Sequence, residues 1–250
     1  MKTEWDYSSL ADAYLERPPY SPEALRRLFE IAGLTQGDLV CDIGAGVGHL
    51  TIPLAQAGFR VVAVEPNDAM RANGQKRTSS LRDVTWVEAG GENTGLSAGQ
   101  FDFVSFGSSF NVLNRTEAMK ETHRLLKPQH WFTCLWNHRN LDDPIQKRIE
   151  EIIAGNIPGY DYGVRREDQT GIISSSGYFD KVEIVTGELL FSQPVERVIE
   201  AWRSHATVER QAGENFLKVV EDISRYLKSL GREAIEIPYL TRAWIARRAD

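Results

Sequence analysis

The sequence predicts an α/β fold: a doubly wound, mostly parallel sheet of seven strands, with an antiparallel last strand and a helical lid. Three observations predict it. Short apolar runs alternate with amphipathic segments of helical period from Asp38 to Trp136, the pattern of parallel strands and crossover helices. The first apolar run enters a glycine-rich turn, LVCDIGAGVGHL from Leu39 to Leu50, which reads as strand, tight turn and helix. Beyond Trp136 the alternation stops, and two further apolar runs flank a long amphipathic region, as expected when a structured insert separates neighbouring strands.

Each element has its own signal. Residues 1–20 form an N-terminal arm. Tyr7 to Leu15 has helical spacing, and Arg17-Pro18-Pro19-Tyr20 ends it, because proline disfavours helix before it. Ser21 is the next N-cap, with Pro22 at the first helical position, Glu23 in the first turn, and Gly33 as the stop after Ala32. The first strand is Asp38 to Asp42, and an amphipathic helix is expected over His49 to Ala57. Strand Arg60–Val64 precedes a helix from Asp68 to Arg77. Strand Val84–Val87 precedes a glycine-rich loop, Glu88 to Gly99. Strand Phe101–Phe106 precedes a helix from Arg115 to Leu126, and Trp131–Trp136 is the fifth strand. Asn137 to Ser176 is polar and partly helical, with its best helix over Pro144 to Ile153. The last strands are Lys181–Val185 and Tyr239–Ala246. The 250 residues read as one domain, with insert segments at about 137–176 and 195–232 forming the lid.

Composition excludes several classes. The chain is 42% hydrophobic and 26% charged, with a net charge of -6, so it lacks the basic footprint of a nucleic-acid binder. No apolar run approaches the roughly 18 residues of a membrane span, and the acidic, amphipathic start is unlike a secretory signal. The two cysteines, Cys41 and Cys134, lack metal spacing. They fall on the predicted first and fifth strands with the fourth between them. At about 4.8 Å per strand that places them roughly 10 Å apart, beyond disulfide reach. A cytoplasmic protein without a metal is the expectation.

Gly44, Gly46 and Gly48 follow Asp42 at alternate positions, and His49 stands where the dinucleotide fingerprint GxGxxG needs its last glycine. The run Asp42-x-Gly-x-Gly-x-Gly resembles the first motif of the class I S-adenosylmethionine-dependent methyltransferases. Glu65 ends the second strand 23 residues past Asp42, the place where an acidic residue holds a ribose diol in such folds. The arm, with Arg17-Pro18-Pro19-Tyr20, is similar to the opening of small-molecule methyltransferases of the trans-aconitate type. The resemblance implies that it closes over the cofactor through Tyr14 and Arg17. Glu65-Pro66-Asn67-x-x-Met70 resembles the family's second segment. Gly91-Glu92-Asn93-Thr94-Gly95-Leu96 resembles its adenine loop. Ser105 to Asn114 lies where the family holds the methionine part. The resemblance therefore implies S-adenosylmethionine as cofactor and S-adenosylhomocysteine as product, held by Tyr14, Arg17, Asp42, Gly44, Ala45, Gly46, Glu65, Pro66, Met70, Gly91, Glu92, Asn93 and Ser108.

Two departures stand out. Asn111 replaces a common family histidine, and Pro128-Gln129-His130 replaces Pro-Gly-Gly. Methyl transfer needs alignment, exclusion of water and sometimes removal of a proton. The candidates on the acceptor side are His138, Asn111 and His205, with Trp136, Asn137, Arg139 and Trp202 nearby in sequence or pattern. The expected reaction methylates an oxygen or other heteroatom of a small acidic or readily ionised metabolite, since Asn111 cannot take a proton and Arg17, Arg139, Arg165 and Arg166 suit carboxylates. A non-catalytic S-adenosylmethionine-binding protein and a nicotinamide-dependent oxidoreductase are the alternatives.

Overall fold

The computed structural model describes residues 11–161, 166–203 and 205–250. The apolar runs form seven strands: β1 (Leu39–Ile43), β2 (Arg60–Val64), β3 (Val84–Val87), β4 (Phe101–Gly107), β5 (Leu126–Arg139), β6 (Phe179–Pro194) and β7 (Ala234–Arg248). They make one sheet in the order β3-β2-β1-β4-β5-β7-β6. Strands β1 to β5 pair in parallel, and β7 runs antiparallel to both β5 and β6. β4 is buried along nearly its whole length, as expected for a parallel strand covered on both faces. The chain winds outward from β1 in both directions, so the β1–β4 junction is the topological switch point, where open α/β sheets bind ligands.

The helices begin where the sequence supplies caps. α1 (Ala11–Tyr14) lies in the arm, and residues 1–10, with the first part of the helix expected over Tyr7 to Leu15, fall outside the described part. α2 (Pro22–Ala32) is capped by Ser21 Oγ and closed by Gly33 at φ 65°. α3 spans Thr51–Gln56. The side chains of Asn67 and Asn114 cap α4 (Asp68–Arg77) and α5 (Arg115–Leu125). Asp143 caps α6 (Pro144–Asn156), which is followed by α7 (Thr170–Ser175). The amphipathic region resolves into α8 (Val195–Arg203), α9 (Ala206–Ala212) and α10 (Phe216–Ser229).

Two apolar layers sandwich the sheet. On one side, Met119 and Leu125 of α5 pack with Cys41, Phe106, Phe132 and Cys134. On the other, Leu25 and Leu28 of α2 pack with Leu54, Val40, Phe103 and Leu135. A third cluster joins Ile149 and Ile153 of α6, Ile199 and Trp202 of α8, and Ile223 and Leu227 of α10. It rests on Ile235 and Ile237 of β7. The two insert segments therefore share one core.

Several bounds differ from the sequence reading. β6 and β7 are much longer than their apolar runs, because each satisfies the other's backbone through a continuous antiparallel ladder from Val185–Ala243 to Pro194–Ala234. β5 extends to Arg139, opposite Tyr239, so Asn137, His138 and Arg139 lie in the strand rather than after it. α3 begins two residues after His49, since the glycine turn occupies the residues before it.

Cys41 and Cys134 are buried and free, on β1 and β5 with β4 between them. Burial raises the pKa of both thiols, which keeps them from forming the reactive thiolate. Neither should react with a thiol reagent at neutral pH in the folded protein. Both should react in denaturant, and reductant should leave the thermal midpoint unchanged.

Candidate active site

The glycine turn is locked to β2 through its own backbone. Gly44, Gly46 and Gly48 have φ of 66°, 56° and 85°, the left-handed region that suits glycine. The Gly44 and Ala45 amides donate to the Val64 carbonyl at 2.8 and 3.0 Å. The Gly46 amide donates to Glu65 Oε2 at 2.8 Å, and Gly48 N–H to the Ala45 carbonyl at 2.9 Å. These four amides are thus engaged by protein. α3 starts at Thr51, after these bonds are made.

Glu65 is the centre of this end. Its other oxygen, Oε1, accepts from the Asn67 amide at 2.8 Å. Burial raises its pKa, while the Asn67 and Gly46 amides oppose that shift. Each carboxylate oxygen carries about two acceptor sites, so one per oxygen remains after these bonds.

Asp42 is fully buried. Its oxygens accept from Thr51 Oγ at 2.7 Å and Ser105 Oγ at 3.2 Å. Burial pushes its pKa up to about 7, against the hydrogen bonds from Thr51 and Ser105. His49 lies 2.6 Å from the Tyr14 carbonyl through Nε2, and burial lowers its pKa to about 4. The two groups bias stability in opposite directions. An unfolded Asp42 loses its proton near pH 4 while the folded one keeps it to about 7, so its contribution falls as pH rises through that window. An unfolded His49 gains a proton below about 6.5 while the folded one resists until about 4, so its contribution falls as pH drops. Asp42→Asn should therefore expose a loss of stability on acidification from pH 7 to pH 5. His49→Gln should expose a loss in the opposite direction. Urea denaturation at the two pH values checks both.

A cavity of about 830 Å³ runs along the carboxyl ends of the strands. Tyr14, Arg17, Asp42, Gly44, Ala45, Gly46, Glu65, Pro66, Met70, Gly91, Glu92 and Ser108 line it, as do Asn111, His138 and His205. Asn93 does not. It is exposed, because the Gly90–Asn93 bridge folds the loop back on itself. Trp202 is likewise buried in the insert core rather than on the wall. Arg166 lines the cavity, and Arg165 lies outside the described residues.

Local bonds fix the walls. Ser108, at φ 62°, meets the Tyr20 hydroxyl at 3.0 Å through its Oγ. Asn111 Oδ1 accepts from Trp136 Nε1 at 2.9 Å. Asn137 Nδ2 donates to the Pro19 carbonyl at 2.8 Å, and its Oδ1 accepts from Thr241 Oγ at 2.5 Å. Gln193 Nε2 donates to the Glu16 carbonyl at 2.9 Å. The bonds from Ser108, Asn137 and Gln193 tie the arm to the cavity wall. The sequence reading missed Tyr20, His49, Gln193 and Tyr239 as wall residues. Of these, Tyr20 had a local signal, since it closes the arm's proline pair.

Charge is divided along the cavity. Asp42, Glu65 and Glu92 sit beside the glycine turn and the Glu88–Gly99 loop, whereas Arg17, His138, Arg139, Arg166 and His205 line other parts of the wall. Arg17 stacks on Tyr14 with its guanidinium carbon 3.6 Å from the ring centroid. Among the described residues, no group of three or more His, Cys, Asp or Glu side chains is placed to hold a metal ion. No described helix is long and apolar enough to cross a membrane.

Residues 41–134 match the family described as a methyltransferase domain. The chain carries a class I methyltransferase domain. The domain is 33% identical over 113 residues to the ubiquinone/menaquinone biosynthesis C-methyltransferase UbiE of Rubrivivax gelatinosus, covering 44% of this chain and 43% of that protein. The Rickettsia prowazekii protein of the same name is 25% identical, with 69% of this chain and 82% of that one covered. The chain spans less than half the length of the first curated relatives it matches. Among solved structures, phosphoethanolamine N-methyltransferase 2 of Haemonchus contortus superposes with a TM-score of 0.58 at 16% identity, covering 97% of this chain and 58% of that one. YcgJ of Bacillus subtilis gives 0.57 at 13% identity, covering 91% and 99%. These superpositions establish the shared fold. The Haemonchus protein was captured with phosphomonomethylethanolamine and S-adenosylhomocysteine.

Proposed function

We propose that the protein transfers a methyl group from S-adenosylmethionine to a heteroatom of a small anionic acceptor and releases S-adenosylhomocysteine. Glu65 carries the cofactor assignment. It stands at the end of β2, lines the cavity, and keeps one acceptor site on each oxygen after binding Gly46 and Asn67, a pair of acceptors suited to a ribose diol. Tyr14, Arg17, Pro66, Met70, Gly91, Glu92 and Ser108 would complete that half of the site. When bound, the cofactor supplies a methyl group already activated on a cationic sulfur.

The remaining work falls to the protein's own side chains. Asn111 has its carbonyl oxygen engaged by Trp136, so its role is to orient rather than to take a proton. His205 Nδ1 accepts from the Val208 amide at 3.3 Å, which puts the proton of the neutral ring on Nε2 and makes that nitrogen a donor. His138 is left as the candidate base. The arginines along the wall favour an acceptor that arrives ionised, which needs little help from a base. We read the chain as one domain in which the insert helices form the lid over the acceptor.

Carbon methylation is the second reading, favoured by the naming of the UbiE relatives as C-methyltransferases. It requires removal of a proton from carbon and so depends on His138. Incubation with labelled S-adenosylmethionine and metabolites fractionated by anion exchange tests both. Label should appear in acidic fractions, and alkali should release methanol if a carboxylate ester forms. An alkali-stable product that vanishes with His138→Ala favours carbon. Cofactor binding without any turnover favours the non-catalytic alternative.

A further inference from the structure

The antiparallel extension of β5 and β7 puts Arg139 directly opposite Tyr239, so their side chains leave the same face of the sheet. Both line the cavity. The Arg139 guanidinium lies 4.0 Å over the Trp202 ring of α8, and its Nη2 is 3.4 Å from Glu150 Oε1 of α6. The side chain is only 13% exposed. Two helices of the insert thus hold the fork in one orientation. Its Nη1 is buried and has no hydrogen-bond partner among the described residues. A buried guanidinium nitrogen left without an acceptor is costly and needs a reason. Across the ladder, burial raises the pKa of the Tyr239 hydroxyl and keeps it protonated as a donor, while the positive charges of Arg139 and Arg17 act against that shift.

We propose that Arg139, with Tyr239 opposite it, binds a carboxylate on the acceptor. This rests on the reading of the cavity as a methyl-transfer site and names the group that selects the substrate. Arg139 Nη1 and the Tyr239 hydroxyl are the donors. A planar carboxylate matches a fixed guanidinium edge, and the pairing is charge-assisted. Trp202 and Glu150 are positioning residues: the ring fixes the plane of the fork, and Glu150 engages Nη2. Arg139 also belongs to the wall of a neighbouring cavity of about 700 Å³, which shares His138, Arg166 and Tyr239. The Arg139 side chain therefore borders two solvent-sized spaces.

The test uses the full chain saturated with S-adenosylhomocysteine. Acetate, benzoate and succinate are titrated by calorimetry, each beside its primary amide. At least one acid should bind tenfold more tightly than its amide. Arg139→Ala should bring that preference within twofold, while Arg139→Lys keeps part of it. Tyr239→Phe should weaken acid binding about threefold and leave amide binding alone. Trp202→Phe should keep the preference, and Trp202→Ala should reduce it. Affinity for S-adenosylhomocysteine should stay within twofold throughout. A wild type that binds acids no better than amides overturns the proposal, as does a preference that survives Arg139→Ala. If Arg139→Ala fails to fold, the Tyr239→Phe titration decides alone. If the wild type does not bind S-adenosylhomocysteine, the cofactor reading falls, and the same acid–amide comparison on the free protein still decides the role of Arg139.

Discussion

Glu65→Ala should weaken S-adenosylmethionine binding by at least tenfold. Hydrogen bonds to a charged group are worth about 1.5–3 kcal/mol each, and each tenfold in affinity is about 1.4 kcal/mol. The carboxylate also holds the Gly46 and Asn67 amides. Removing it leaves two partly buried N–H groups to find other acceptors, at about 1–3 kcal/mol for each that finds none. The variant should therefore lose stability as well as affinity. Glu65→Gln separates the two effects. Its carbonyl oxygen can replace one bond to the backbone, while its NH₂ group cannot accept from the other amide or from a ribose hydroxyl. It should lie between wild type and Ala in both measurements, taken by calorimetry with the cofactor and by urea denaturation. Unchanged affinity in Glu65→Ala, with the fold intact, would remove Glu65 from the cofactor site.

The features legible in the sequence are those set by neighbours along the chain. The glycine turn and Glu65 were readable because spacing after a short apolar strand determines where they stand. The cap Ser21 acts within three residues of itself. Cys41 and Cys134 were placed correctly because strand alternation fixed the order of β1, β4 and β5. The misses share the opposite cause. Gln193 and Tyr239 reach the cavity through strand extensions whose residues alternate weakly and whose partners lie more than forty residues away in the chain. Asn137, His138 and Arg139 look like a polar loop, and only the β7 ladder makes them strand. Asn93 was misplaced because the bridge between Gly90 and Asn93 decides which loop side chains face inward, and no local pattern encodes it. Trp202 sits on an amphipathic helix, and only the docking of α6 and α10 shows that its ring is spent on the insert core and on Arg139.

That contrast bears on the chemistry. The half of the cavity suited to the cofactor is built from adjacent segments of β1, β2 and their loops, so its residues carry a short signature. The half with Arg139 and Tyr239 is assembled from β5, β7 and the insert, where positioning depends on tertiary packing. Acceptor preference can therefore change by substitution of a few side chains on those elements while the glycine turn stays as it is. The insert core, with Ile149, Ile199 and Ile223 at 0% exposure, gives those side chains a close-packed support rather than a mobile loop.

Gly44→Ala should be among the most damaging single-methyl changes in the chain, lowering stability by about 2–5 kcal/mol. Two costs combine. At φ 66° an alanine adopts the left-handed region at about 1–2 kcal/mol. Its Cβ would also stand 2.4 Å from Ser109 Cβ and 2.8 Å from Ser109 Oγ, an overlap that close-packed surroundings relieve at about 1–3 kcal/mol. Ser109 cannot simply swing aside, because its Oγ donates to the Ile43 carbonyl at 2.6 Å at the end of β1. Gly46→Ala is the internal control. Its φ is 56°, but nothing lies within 4 Å of the added Cβ, so it carries the backbone cost alone, about 1–2 kcal/mol. The difference between the two variants in urea denaturation measures the steric part. Ser109→Gly in the Gly44→Ala background should recover part of that difference and no more, since it also removes the bond to Ile43. If Gly44→Ala proves no worse than Gly46→Ala, the segment carrying Ser109 yields freely, and the tight contact between the glycine turn and the β4 loop is not what holds this end of the cavity in shape.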